Sequence, residues 1–302
     1  MLGAGRFLSS DKEEFNPIRI PDLVGWWDFT DPTALWANAG RTTRISDGDT
    51  IDVADNKAFW NVPSSVPASK RDLALGSFVQ AQSSARPTWY DKTNPDGPYA
   101  DFGGSQVMYA NVLKGNVAPG VMSEAIVNTQ NITWFVVLKS HEYAAQPLTD
   151  LFYTEVWDGA GDPTSTDMFI IRLATDEHLE FFAGDRSDKS GDVILDSTAD
   201  LANAFEIWTG IMKPASSANS EIYKRRNKNL GATNLQSKNH NYDFAAGGTS
   251  QATNYTSIGG SLPNTMNFDG HLKEIIFYNR TLTQEEVSSV EYYLAYKHKI
   301  SI

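Results

Sequence analysis

The sequence predicts an all-β fold, a sandwich of two antiparallel sheets with an N-terminal arm and a C-terminal helix. Three observations lead there. From Pro21 onward, short apolar runs rich in β-branched and aromatic residues alternate with clusters of Gly, Pro, Asn, Asp and Ser, the pattern of strands between turns. No stretch alternates long helices with strands, as a parallel α/β sheet would, and no repeat of fixed period is present. The C-terminal segment reads as a buried strand that turns directly into a fully signalled helix.

Residues 1–20 differ in character from the rest. Gly3 and Gly5 loosen the start, Asp11-Lys12-Glu13-Glu14 is solvated, and Phe7, Leu8 and Phe15 are apolar without a period. A frayed tail is one reading. The other is an arm that becomes ordered on a neighbouring protein, with Arg6, Phe7, Leu8 and Phe15 as its assembly contacts.

Residues 21–302 form the domain. Its expected strands are Leu23–Phe29, Tyr99–Phe102, Gln106–Ala110, Ile132–Ser140, Asp150–Tyr153, Met168–Leu173 and His178–Phe182. Further along come Val193–Leu195, Phe205–Met212, Ser220–Tyr223, Tyr255–Ile258 and His271–Asn279. Residues 36–95 hold few good strands and are expected to form a long decorated connection with a hairpin, Thr50–Val53 against Ala58–Trp60. Residues 213–254 are polar and partly basic, with a strand end and turn at Lys224–Gly231. The helix spans about 283–299. Thr283 is its N-cap and Glu286 completes a capping box, while Leu282 and Val287 are placed as a hydrophobic staple. Val287, Val290 and Leu294 share one face, and Lys297, His298 and Lys299 fill the last turn, where positive charge suits the dipole.

The chain has 302 residues, 41% of them hydrophobic and 12% aromatic, enough apolar area for a sizeable core. Its 37 acidic and 25 basic side chains leave a net charge of −12. That balance disfavours a sequence-independent grip on nucleic acid and docking on an anionic membrane. The absence of cysteine excludes disulfides, thiol catalysis and Cys-ligated metals. The N-terminus lacks the apolar stretch of a signal peptide, and the run Ile132–Leu138 is too short to cross a bilayer.

Chemistry-bearing patterns are sparse. There is no G-x-S-x-G elbow, and the five histidines, His141, His178, His240, His271 and His298, are scattered. In strands, His178 and His271 read as hydrogen-bonded structural residues. No H-x-x-x-H or H-E-x-x-H spacing is present, which argues against a catalytic zinc site. Asp158-Gly159-Ala160-Gly161-Asp162 is an acidic, glycine-containing loop that could wrap calcium through Asp158 and Asp162, although it lacks the EF-hand order. Carbohydrate binding needs exposed aromatic platforms. Trp157, Trp89 and Tyr90 lie near expected loops and are the candidates, whereas Trp26, Trp27, Trp134 and Trp208 fall in strands.

Both ends of the domain resemble a known family. Phe268, Asp269, Gly270, Glu274, Leu282, Glu286, Tyr293, Leu294, Ala295 and Lys297 stand where concanavalin A-like (laminin-G-like) jelly-roll domains carry their closing motif. Leu23–Asp31 resembles the opening strand of that family, and Arg86-Pro87-Thr88-Trp89 with Ala100-Asp101-Phe102-Gly103-Gly104 resembles a following stretch. The resemblance implies a concanavalin A-like jelly roll. It also implies a non-enzymatic bacteriophage virion structural protein, a head decoration or a tail or appendage component made in the host cytoplasm. Such a protein would be present in many copies or as a homo-oligomer, touch other virion proteins, and could act as a lectin on a host surface glycan. The alternative is a carbohydrate-binding or polysaccharide-cleaving module of a secreted or surface protein. Glycoside hydrolases of this fold carry an E-x-D-x-x-E strand, whose alternate residues share one face. Glu155–Asp158 and Asp176–Glu180 both miss that spacing.

Overall fold

The computed structural model describes residues 15–59, 78–79, 86–110, 131–141, 149–157, 166–174, 178–185, 193–198, 204–212, 221–226, 229–230, 255–260 and 267–302. Its strands are β1 (Leu23–Asp28), β2 (Leu35–Trp36), β3 (Val53–Ala54), β4 (Phe78–Val79), β5 (Thr88–Tyr90), β6 (Tyr99–Gly103) and β7 (Met108–Ala110). Longer ones follow: β8 (Ile132–Ser140), β9 (Thr149–Trp157), β10 (Thr166–Ala174), β11 (His178–Asp185), β12 (Val193–Thr198) and β13 (Glu206–Met212). The series ends with β14 (Glu221–Arg226), β15 (Asn229–Leu230), β16 (Tyr255–Ile258), β17 (Asp269–Tyr278) and the helix α1 (Gln284–His298).

The first sheet runs in the order β15-β14-β13-β8-β17-β6-β5, and the second in the order β12-β11-β10-β9-β16-β7-β4-β3-β2. At ten residues, β17 is the spine of the first sheet. One edge of it pairs with β8 from Gly270 to Tyr278. Its other edge is divided: β6 takes Asp269–Leu272, and β1 takes Glu274–Tyr278. The register with β8 shifts between Leu272 and Glu274, which leaves Lys273 as the odd residue of a bulge. In this arrangement the sequence stretches that carry the family resemblance meet, because Gly270 lies opposite Phe102 and Trp27 opposite Ile275.

The strand sequences explain why both faces of this sheet are apolar. Along β8, Trp134, Val136 and Leu138 point into the sandwich and meet Trp27, Trp208, Ile275 and Phe277 with Phe152, Phe169 and Ile171 of the second sheet. The alternate residues Phe135 and Val137 point outward, where Ile207, Ile211, Ile276 and Tyr278 join them against Leu282, Val287, Val290 and Leu294. A strand covered on both sides loses the alternating pattern and reads as a continuous apolar run, as Ile132–Leu138 does.

The helix is encoded as expected. Thr283 accepts from the Glu286 N–H at 3.3 Å, and Glu286 accepts from the Thr283 N–H at 2.9 Å, so the capping box closes in both directions. Leu282 and Val287 are both buried in the same cluster. Lys299 takes the left-handed conformation at φ 57°, and the Ile300 N–H closes on the Ala295 carbonyl at 2.9 Å. The sequence suggests a helix that covers one edge or end of the sandwich; instead α1 lies over the face of the first sheet, where the outward side chains of β8, β13 and β17 form a second core.

The hairpin expected between Thr50–Val53 and Ala58–Trp60 is not formed. Val53–Ala54 pairs instead with β2 and β4, and Lys57–Phe59 is a 3₁₀ turn. The cause is local. Asn56 accepts from the Trp26 N–H at 2.8 Å and from the Ala58 N–H at 3.1 Å, which turns the chain and ties it to β1. Lys57 then reaches the buried Asp28 at 2.9 Å.

Candidate functional site

The outer face of the first sheet is divided in two. Helix α1 covers one part; at the other end of β17, the strands β5, β6, β17 and β8 present polar and aromatic side chains. Tyr90 and Tyr99 are cross-strand partners with ring centroids 5.3 Å apart. Tyr99 stacks on His271 at 4.0 Å with the planes 21° apart. His271 in turn meets His141 edge-on at 4.2 Å. Tyr90, Tyr99, His271 and His141 therefore form a ladder of rings across the strands, with Phe205 6.1 Å from His271 on its flank.

Polar groups are held among these rings by the strand register. His271 lies opposite Asp101 on one side and Lys139 on the other. Lys139 forms an ion pair with Asp96 at 2.6 Å, and that hydrogen bond holds the Asp96 carboxyl below its usual range. Lys273, displaced by the bulge, places its ammonium 4.0 Å from the Phe205 ring centre, and burial pushes its pKa down to about 8. Burial and the Asp101 charge push the Tyr99 phenol up to about 12.

At the centre are two imidazoles and two carboxylates. The Nδ1–H of His141 donates to Asp269 Oδ1 at 2.8 Å, so the Nε2 of a neutral His141 carries its lone pair. That nitrogen meets the Nε2 of His271 in a short contact. Burial, with the nearby His141 and Lys139, pushes the His271 imidazole down to about 3, so it is neutral near pH 7. Burial also raises the Asp101 carboxyl, against the pull of His141. Asp101 Oδ1 lies 3.7 Å from His141 Nε2 and 4.0 Å from His271 Nε2, and it has no hydrogen-bond partner among the described residues. One ligand atom each from Asp101, His141 and His271 lies within 4.8 Å of the other two.

Of the residues singled out from sequence, Tyr90 belongs to this face and is half-buried. Trp89 is a correction. It is 5% exposed and points into the sandwich, where its indole N–H donates to the Phe29 carbonyl at 2.8 Å. Neighbours on a strand point to opposite sides, so Trp89 and Tyr90 cannot form one platform. Trp157 ends β9, and its side chain lies outside the described residues, as do Asp158 and Asp162. Arg6, Phe7 and Leu8 also lie outside them, while Phe15 is half-buried with its ring 6.0 Å from Tyr293 of α1.

His141, His271 and Asp101 were not expected as a group. They come from three separate strands or strand ends, so no local spacing marks them. The available signals were His271 at the start of one expected strand with Asp269 two residues before it, and His141 directly after another.

No family model and no curated protein matches this chain. Solved structures do. A GH54 α-L-arabinofuranosidase shares 9% identity over 93% of this chain and 65% of its own, with a TM-score of 0.55. A Trypanosoma rangeli sialidase shares 11% identity over 92% of this chain, with a TM-score of 0.51. This chain spans only 33% of that sialidase. The CBM40 module of a Ruminococcus gnavus sialidase is 14% identical over 60% of this chain and 95% of its own, at a TM-score of 0.41. At these identities the likeness is one of fold: a β-sandwich of antiparallel sheets, with one C-terminal helix in the present chain.

Proposed function

We propose that the chain is a non-catalytic carbohydrate-binding module, and that its glycan lies along the polar part of the first sheet's outer face. The half-buried Tyr90 ring, backed by the buried Tyr99 and by His271 and bordered by Asp101 and the Asp96–Lys139 pair, carries this reading. Sugars are recognised by aromatic surface against their C–H groups together with planar polar groups for their hydroxyls. The Asp101 carboxylate, a quarter exposed, lies next to the rings. The missing E-x-D-x-x-E triplet supports binding without cleavage. A lectin displayed in many copies on a phage particle is one setting for such a module, and that setting rests on the resemblance at the two ends of the chain.

The test is a glycan array followed by titration of the best ligand. The solved structures that share the fold are named as a sialidase and an arabinofuranosidase, so sialylated and arabinose-bearing glycans come first. Saturable binding that weakens roughly tenfold or more in Tyr90→Ala and Asp101→Asn is the expected result. A blank array, or affinity indifferent to both substitutions, would overturn the reading.

A further inference from the structure

We infer that His141, His271 and Asp101 form a binding site for a zinc-class divalent transition-metal ion, with Asp269 orienting His141. Two imidazole nitrogens and one carboxylate oxygen converge on one point, a donor set that suits zinc and its neighbours and leaves a coordination position open. Calcium and magnesium prefer oxygen donors, so the site differs in chemistry from the loop at Asp158 and Asp162.

The geometry is close to what coordination requires. Zinc–nitrogen and zinc–oxygen bonds of about 2.0 Å in a tetrahedron set ligand atoms about 3.3 Å apart. Asp101 Oδ1 is 3.7 and 4.0 Å from the two Nε2 atoms, and the two Nε2 atoms lie closer together than the tetrahedral edge. A sub-ångström spread of the imidazoles with an inward move of Asp101 gives the tetrahedral arrangement.

The second contact of His141 fits as well, while His271 Nδ1 has no hydrogen-bond partner among the described residues. The carboxylate–histidine pair Asp269–His141 is the arrangement that fixes the tautomer of a metal-binding imidazole, leaving Nε2 free to coordinate. Without an ion, the Nε2 atoms can satisfy each other only through a shared proton, which a cation replaces. The side chains of His141, Asp101 and Asp269 are a quarter to a third exposed, so an ion can enter from solvent.

Calorimetric titration of the whole chain with zinc chloride tests the site, with cobalt(II) as a spectroscopic probe. One saturable site is expected, with a visible cobalt spectrum of low-symmetry, four- or five-coordinate type. His141→Ala, His271→Ala and Asp101→Ala should each abolish it, and Asp269→Asn should weaken it roughly 10–100-fold. His178→Ala, on β11 of the second sheet, should leave it unchanged. Wild-type protein that takes up no stoichiometric zinc, or that shows only the hexa-aquo cobalt spectrum, would overturn the inference. So would affinity that survives loss of both His141 and His271. If a variant fails to fold, the wild-type cobalt spectrum still decides. No glycan enters the assay, so its failure leaves the carbohydrate reading standing.

Discussion

Asp28 and Glu274 lie directly opposite each other across the β1–β17 pair, two carboxylates that are 2% and 0% exposed. Like charges in that position repel. Lys297, from the last turn of α1, resolves the conflict with its ammonium 2.5 Å from Asp28 Oδ2 and 2.7 Å from Glu274 Oε2. Lys57 adds a contact of 2.9 Å to Asp28, while the Trp26 indole N–H and His298 reach Glu274 at 2.6 and 2.7 Å. The sheet therefore carries a charge defect that the helix helps to neutralise, and the apolar packing of Val287, Val290 and Leu294 is joined by these ion pairs in holding the helix down.

Replacing Lys297 with Met should destabilise the fold by roughly 3–5 kcal/mol, because it leaves two buried carboxylates with too little positive charge. The same change at the exposed Lys92 should stay within about 0.5 kcal/mol. Urea unfolding of both variants and the wild type measures the difference. Equal midpoints would mean that the ion cluster contributes nothing net.

The cluster also sets the acid limb of stability. Burial raises the Asp28 carboxyl, but Lys297 and Lys57 outweigh it and hold the group well below the usual carboxylate range. The hydrogen bond from Arg280 brings Glu286 down to about 2. Both groups have folded values below their unfolded ones, so the stability they give is fully present above the unfolded values of 3.8 and 4.5. It is lost as pH falls through the folded values, since the unfolded chain then binds more protons. Unfolding free energy should fall between pH 4.5 and 2, less steeply in Glu286→Gln. An unchanged slope in that variant would remove Glu286 from the account.

How much of this could be read from the sequence depends on whether the signal is local. The capping box of Thr283 and Glu286, the helix face Val287–Val290–Leu294 and the strands Ile132–Ser140 and Tyr255–Ile258 follow from spacing within one segment. The placement of α1 on the sheet face was foreshadowed by β8, whose apolar run is explained only if both sides are covered. The site is different. Asp101, His141 and His271 meet because β17 pairs with β6 and β8 in one particular register, and register between strands so far apart in sequence leaves no local trace. Trp89 misled because a three-residue strand among turns looks like loop, yet it lies opposite Ala100 and points inward.

Gly210 should tolerate no side chain. It lies opposite Trp134 in the β13–β8 pair, and a Cβ at this position would sit 2.1 Å from the Trp134 ring. Trp134 is fully buried in the sandwich core and cannot swing away without displacing its neighbours. Gly210→Ala should therefore destabilise by about 1–3 kcal/mol or more. Gly40→Ala, where the added carbon meets nothing within 4 Å, is the matched control. Thermal melts of the two variants would show a large drop for the first alone, and parallel melts would contradict the packing argument.

The start of α1 offers a way to separate a cap from an ion pair, because Glu286 serves both. Its carboxylate accepts the Thr283 N–H and also receives Arg280 in a two-pronged contact at 2.6 and 2.9 Å. Thr283→Ala removes one direction of the box and should cost about 1 kcal/mol, independent of salt, because a neutral hydroxyl is lost. Glu286→Gln keeps an amide oxygen for the Thr283 N–H but gives up the charge that Arg280 and the helix dipole favour. Its cost should be larger in dilute buffer than in 1 M salt, since a partly exposed ion pair is screened. Urea titrations of both variants at the two salt levels check this. If Thr283→Ala were the salt-sensitive variant, the roles assigned to the two side chains would be reversed.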